Sequence, residues 1–232
     1  MAVKVGYMMW AAWRKPMETF KERLKRFVDG DAAETFGWMK MTLHNYHVSE
    51  LGRARENRLY HCVYLMAHAI IQTVSESMFD KKGIEGTRFF LQTFADAESE
   101  GTKFSLIASE LHHVRNIIAH QTYSSVQHKV EYFADEIEDG WHNADGVLLV
   151  NPTRYSIVVE AVFRGSTIFR AFGQLPEKQR LLRKYQFLKQ WLGLAKNDSI
   201  AKDISALESL DSSDLREKEL AIRSDLYHRY GL

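Results

Sequence analysis

The stretch Phe104-Ser-Leu-Ile-Ala-Ser-Glu-Leu-His-His-Val-Arg-Asn-Ile-Ile-Ala-His120 decides how this chain is read. Its apolar residues recur at helical spacing, and within them Arg115, Asn116 and His120 place a permanent cation, an amide and a titratable imidazole on one helix. Burying such groups costs free energy unless each finds a partner. The segment is therefore either a satisfied polar network or a site.

Helical periodicity continues on both sides. Phe20, Leu24, Phe27 and Val28 share one face, and Leu59, Val63, Met66 and Ile70 share another within a long helix expected over 50–79. Two of the three prolines stand where helices begin, Pro16 before residues 17–27 and Pro176 before 177–191. A turn at Lys81-Lys82-Gly83 leads to a helix carrying Phe89, Phe90 and Phe94, and a turn near Gly101 leads into the opening segment. Helices joined by so short a loop should pack antiparallel.

Val126, Val130, Phe133 and Ile137 predict a further helix, after which residues 139–152 break the pattern with a loop and one short strand, Val147–Val150. Helices follow over 153–172 and 176–195, then a polar stretch over 197–213 and a charged terminal helix. The expectation is an all-α protein with at most one short strand or hairpin. It divides into an N-terminal helical flank (1–34), a helical bundle core (35–140) and a C-terminal helical extension (141–232) that could pack into the same domain.

Composition excludes some classes. With 232 residues, 45% of them hydrophobic, the chain can bury a sizeable core. The formal charge of +1 gives no global attraction for a polyanion, so RNA or DNA would need a local patch. The lone Cys62, expected in the core, permits no intramolecular disulfide and suits a reducing compartment. No stretch approaches the roughly 18 apolar residues of a membrane span. The expectation is a cytoplasmic protein without membrane contact.

On an ideal helix Asn116 and His120 face the same way, whereas Arg115 and His120 lie roughly 140° apart. They converge if the arginine side chain bends around, if the helix is irregular, or if two copies meet across a two-fold axis. Such a cleft suits phosphodiester chemistry. A neutral imidazole can take a proton from a ribose 2′-hydroxyl, and a guanidinium can hold phosphoryl oxygens as charge grows on them. Cleavage that uses the 2′-hydroxyl as nucleophile calls for no metal and no cofactor, and DNA would be refused.

The pattern Arg-x4-His with a polar residue directly after the arginine, Arg115, Asn116 and His120 here, resembles the HEPN superfamily (higher eukaryotes and prokaryotes nucleotide-binding). The resemblance covers about 100 residues, roughly Thr35 to Glu138, and its specific part is six residues long. It implies an up-and-down helical bundle, a homodimer and, in many members, a metal-independent endoribonuclease of toxin-antitoxin or defence systems. Carried over, His120 is the base or acid, Arg115 the phosphate or transition-state ligand and Asn116 an accessory polar residue. RNA and a protein antitoxin or regulator are the partners it implies; the rival reading is a non-catalytic module binding a nucleotide, RNA or protein. One subgroup has a tyrosine two residues after the histidine. Here Thr122 holds that position and Tyr123 follows, leaving Tyr123 as an accessory candidate.

Other constellations are weaker. Glu110 and His113 form a single Glu-x-x-His element, half of what a di-iron bundle needs, so His113 fits better as an auxiliary group on the face of Asn116 and His120. His44 and His47 have no ligand-spaced partner, and His61 and His68 read as satisfied core histidines. For RNA contact the best candidates are Arg180, Arg183, Lys184 and Lys189 beside Tyr185 and Trp191. The competing reading of that run is the solvated face of an amphipathic helix.

Overall fold

A computed structural model describes residues 18–98, 101–120, 130–131 and 133–232, without the side chains of Glu98, His120, Ser212 and Ser213. The described helices are α1 (Phe20–Asp29), α2 (Ala32–Thr42), α3 (Ser49–Glu56), α4 (Tyr60–Gln72), α5 (Gly83–Phe90), α6 (Asp96–Glu98) and α7 (Ala108–His120). After a three-stranded sheet of β1 (Val130–Glu131), β2 (Trp141–Ala144) and β3 (Val147–Val150) come α8 (Pro152–Arg164), α9 (Thr167–Gly173), α10 (Glu177–Trp191), α11 (Ser199–Ala206) and α12 (Ser212–Tyr230). The protein is all-α with one small sheet.

Contacts group Phe36–Lys184 into one unit and Met1–Thr35 with Tyr185–Leu232 into another. In the larger unit α4 is the central element: α3, α5, α7 and α8 all pack against it. Its apolar stripe of Val63, Ala67, Ile70 and Ile71 is fully buried because successive residues three or four apart share a face. Tyr64 stacks on Tyr155 of α8 with ring centroids 5.6 Å apart, and Phe104 packs against Tyr155 at 5.4 Å. Leu111, Val114 and Ile117 give α7 the matching buried stripe.

The long helix expected over 50–79 is broken at Asn57–Leu59. Arg58 takes a left-handed conformation (φ 54°), and the Leu59 N–H reaches back to Ala54 O at 2.9 Å. This is a Schellman ending with arginine where glycine is usual. Leu59 and Cys62 are consequently exposed, so the expectation of a core cysteine is corrected.

The helix expected from Val126 to Ile137 is also corrected. Residue 126 lies outside the described residues, while Val130–Glu131 pair in parallel with Leu148–Leu149 of β3 and residues 133–139 run through turns. The β2–β3 hairpin turns on Asp145-Gly146, both at positive φ, as a two-residue primed turn requires.

Asn151 ties the hairpin to α8. Its amide donates to Asp135 O at 3.0 Å and Ile137 O at 2.8 Å, its side-chain oxygen accepts from Arg154 N at 3.0 Å, and its own N–H bonds Gly140 O at 2.8 Å. It is the N-cap of α8, with Pro152 in the first turn. Further along α8, Glu160 accepts from Arg55 of α3 at 2.7 Å and from Arg164 at 2.6 Å. Burial works against the charged carboxylate, but the hydrogen bonds from Arg164 and Arg55 outweigh it and hold its pKa below the usual range.

In the smaller unit, α1 opens with a capping box between Thr19 and Glu22 and packs on α12. Asp29 accepts from Arg223 at 3.0 Å and from the Tyr227 hydroxyl at 2.7 Å. Phe27 meets Trp191 edge-on at 5.2 Å. The polar stretch over 197–213 contains α11, capped by Asp198 and anchored by buried Ile200, Ile204 and Leu207. Among the described residues no helix is long and apolar enough to cross a membrane.

Candidate functional site

Helix α7 carries the site candidates on the side opposite its buried stripe. Taking 100° per residue and Arg115 as origin, His112 lies at roughly 60°, Asn116 at 100° and position 120 at 140°. Leu111, Val114 and Ile117 fall in the remaining arc and are buried. His112, Arg115 and Asn116 thus share one face, and all three are half-buried.

Three π-helical segments interrupt other helices, at Leu43–Val48, Thr73–Met78 and Leu91–Ala95. None falls in α7, which is α-helical from Ala108 to His120. An irregular helix therefore does not bring positions 115 and 120 together. The arginine itself leans across the arc: its Nη1 donates to the Asn116 side-chain oxygen at 2.8 Å. That bond turns the guanidinium toward the azimuths of His112 and His120 and leaves the Asn116 amide hydrogens free to donate elsewhere.

A structural salt bridge is the obvious competing role for Arg115. Glu110, the nearest acid in sequence, instead accepts from the Ser109 hydroxyl at 2.6 Å. Among the described residues no carboxylate pairs with Arg115. Its one side-chain partner among them is therefore the Asn116 oxygen.

Behind the face lies a histidine pair that sequence reasoning did not find. His68 of α4 is 2% exposed, and its ring meets that of His112 edge-on with centroids 4.9 Å apart. The Nε2 of His68 is buried without a hydrogen-bond partner among the described residues. His68 is thus no satisfied core histidine. Burial first, then the positive potential of His112 and Arg115, pulls its pKa down to about 3, so it is neutral in the fold. The same causes act on His112, where burial, Arg115 and His113 lower the pKa.

Each remaining candidate has a definite place or lies outside the described residues. The backbone of His120 closes α7, but its imidazole is outside them, as is all of Tyr123. His113 is exposed. Among the described residues no three His, Cys, Asp or Glu side chains are grouped to hold a metal ion.

The five candidates on α10 differ in their surroundings. Lys184 is 3% exposed and Tyr185 is fully buried, with its hydroxyl bonded to Glu219 at 3.2 Å. Burial and the neighbouring Glu219 carboxylate push the Tyr185 pKa up. Arg183 pairs with Asp80 at 3.1 Å, and Lys189 donates to Ser205 at 3.2 Å. Arg180 alone of the five is half-buried with no such bond among the described residues.

A cleft of about 850 Å³ lies elsewhere, between α8 and the start of β2, lined by Lys103, Phe104, Glu138, Trp141, Arg154 and Ile157. Its charges are mixed and none of the candidate residues reaches it. Volume marks this cleft, whereas unsatisfied polar chemistry marks the α7 face. Comparison of the chain with family models, with curated proteins and with solved structures found no match to any of them. The chemistry of α7 must therefore carry the functional reading.

Proposed function

We propose that the polar face of α7 is the active face of a metal-independent endoribonuclease acting on single-stranded RNA. The observation that carries this is Arg115: a half-buried guanidinium, steered by Asn116 and unclaimed by any carboxylate among the described residues. Such a group holds two non-bridging phosphoryl oxygens and gains strength as negative charge builds on them in the transition state. The Asn116 amide donates to a third oxygen.

His120, on the same face one turn from Asn116, supplies proton transfer as acid or base. The Arg-x4-His resemblance to the HEPN superfamily supports this assignment, as does the helical bundle in which α7 packs. In this reading two copies of the chain meet at α7, so that the arginine and histidine of both face one cleft, and the activity belongs to a defence or toxin-antitoxin system.

Incubating the purified protein with single-stranded RNA in excess EDTA tests the reading. Cleavage should persist under EDTA, be refused by an all-deoxy oligonucleotide and fall about 10²–10³-fold in His120→Ala. A folded wild type that leaves RNA intact overturns it. Sedimentation at the assay concentration should give twice the monomer mass; an active monomer removes the two-copy cleft.

A further inference from the structure

His112 lies between Arg115 and Asn116 around the helix, and its ring is met by side chains of two neighbouring helices. The Thr87 hydroxyl of α5 stands 3.4 Å from its Nδ1. Thr87 is fully buried, and its hydroxyl also donates to Gly83 O at 3.2 Å. A hydroxyl carries one hydrogen, so with that hydrogen on the Gly83 carbonyl the Thr87 oxygen can only accept. That arrangement is met by the His112 tautomer with its proton on Nδ1 and the lone pair on Nε2, an assignment made from the hydrogen-bond network.

The His68 ring packs edge-on against that of His112 with centroids 4.9 Å apart. His112 is only half-buried, so a ligand held by Arg115 can reach it. An imidazole fixed in one tautomer, kept neutral and set one turn from an unclaimed guanidinium has the attributes of a general base.

We propose that His112 is a second catalytic residue of this face: the general base that takes the proton of the ribose 2′-hydroxyl, with Thr87 as the residue that positions its ring. This rests on the ribonuclease reading above and divides its labour. The 2′-hydroxyl proton passes to His112 Nε2, the 2′-oxygen forms a bond to phosphorus, and the bond from phosphorus to the 5′-oxygen breaks. That oxygen departs with a proton from His120, the residue to which the ribonuclease reading gives proton transfer. The products are a 2′,3′-cyclic phosphate and a 5′-hydroxyl end, with the anionic phosphorane held by Arg115 and Asn116.

The division predicts different responses to the leaving group. An alkoxide needs an acid to depart, whereas 4-nitrophenolate does not. Wild type, His112→Ala, His112→Gln and His120→Ala are assayed on RNA and on uridine 3′-(4-nitrophenyl phosphate). All three variants should lose about 10²–10³-fold on RNA. On the aryl ester His120→Ala should recover to within about tenfold of wild type, while both His112 variants stay slow. Added imidazole should partly restore His112→Ala, which a purely structural role would not permit. Thr87→Val should lower kcat and Thr87→Ser keep it.

If either folded His112 variant cleaves RNA within twofold of wild type, the assignment of His112 falls and the ribonuclease reading stands. Recovery of His112→Ala rather than His120→Ala on the aryl ester reverses the two roles and overturns the assignment. If wild type is folded and inert on RNA, both fall together.

Discussion

Two polar clusters sit in the larger unit, and they are built on opposite plans. At Asn151 the side-chain oxygen and both amide hydrogens have backbone partners, and the residue is 3% exposed. On the α7 side, among the described residues, Arg115 bonds only Asn116 and buried His68 leaves Nε2 without a partner. Satisfied networks hold a fold together; unsatisfied ones are kept at a cost in stability, typically about 1–3 kcal/mol per orphaned group. The contrast sets a structural knot at Asn151 against an unsatisfied cluster on the α7 side without any appeal to pocket size.

Acid should separate the two clusters most strongly. The folded protein holds His68 neutral to about pH 3, whereas in the unfolded chain it takes a proton near its ordinary value of 6.5. Between those values the unfolded state binds the extra proton, so stability is full above pH 6.5 and falls as pH drops toward 3. The loss is on the order of 4 kcal/mol at about 1.4 kcal/mol per unit. Urea midpoints across pH 3–8 should slope steeply for wild type and less for His68→Leu; equal slopes remove His68 as the cause.

Asn151→Ala comes next. It orphans two carbonyls and the first turn of α8, and should cost about 2–3 kcal/mol in urea unfolding. A loss below about 0.5 kcal/mol would mean that solvent replaces the knot easily. At pH 8 His68→Leu should instead stabilise the protein by about 1 kcal/mol, because it deletes an unpaired buried nitrogen. Destabilisation there would show that Nε2 has a partner. The smallest effect is expected at α10: Arg180→Ala and Lys189→Ala should change RNA affinity by less than about twofold, since that helix offers no continuous basic face.

How much of this could be read in the chain depends on how local each signal is. The helical stripes of α1, α4 and α7 follow from apolar spacing, and Asn151-Pro152 and Asp145-Gly146 are local cap and turn signals. The hairpin partner Trp141–Ala144 was within reach of that last signal, which the helical pattern obscured. Arg58 carries no such mark, because a left-handed arginine looks like any other arginine until the chain end it caps is seen.

The candidate site was half visible. Arg115 and Asn116 stand out as polar groups in an apolar helix, but the meeting of His68, Thr87 and His112 depends on α4, α5 and α7 packing together, which no spacing encodes. The burial of Lys184 and Tyr185 is likewise tertiary. A basic and aromatic run looks the same whether it lies against protein or faces RNA.

The most direct test of α7 as a site rather than a support is to measure thermal stability and RNA cleavage together in Arg115→Ala. Because no carboxylate among the described residues depends on this guanidinium, the melting temperature should stay within about 2 °C of wild type. Cleavage in EDTA should fall about 10²–10³-fold. A variant that melts much earlier, or one that cleaves RNA as fast as wild type, contradicts the account.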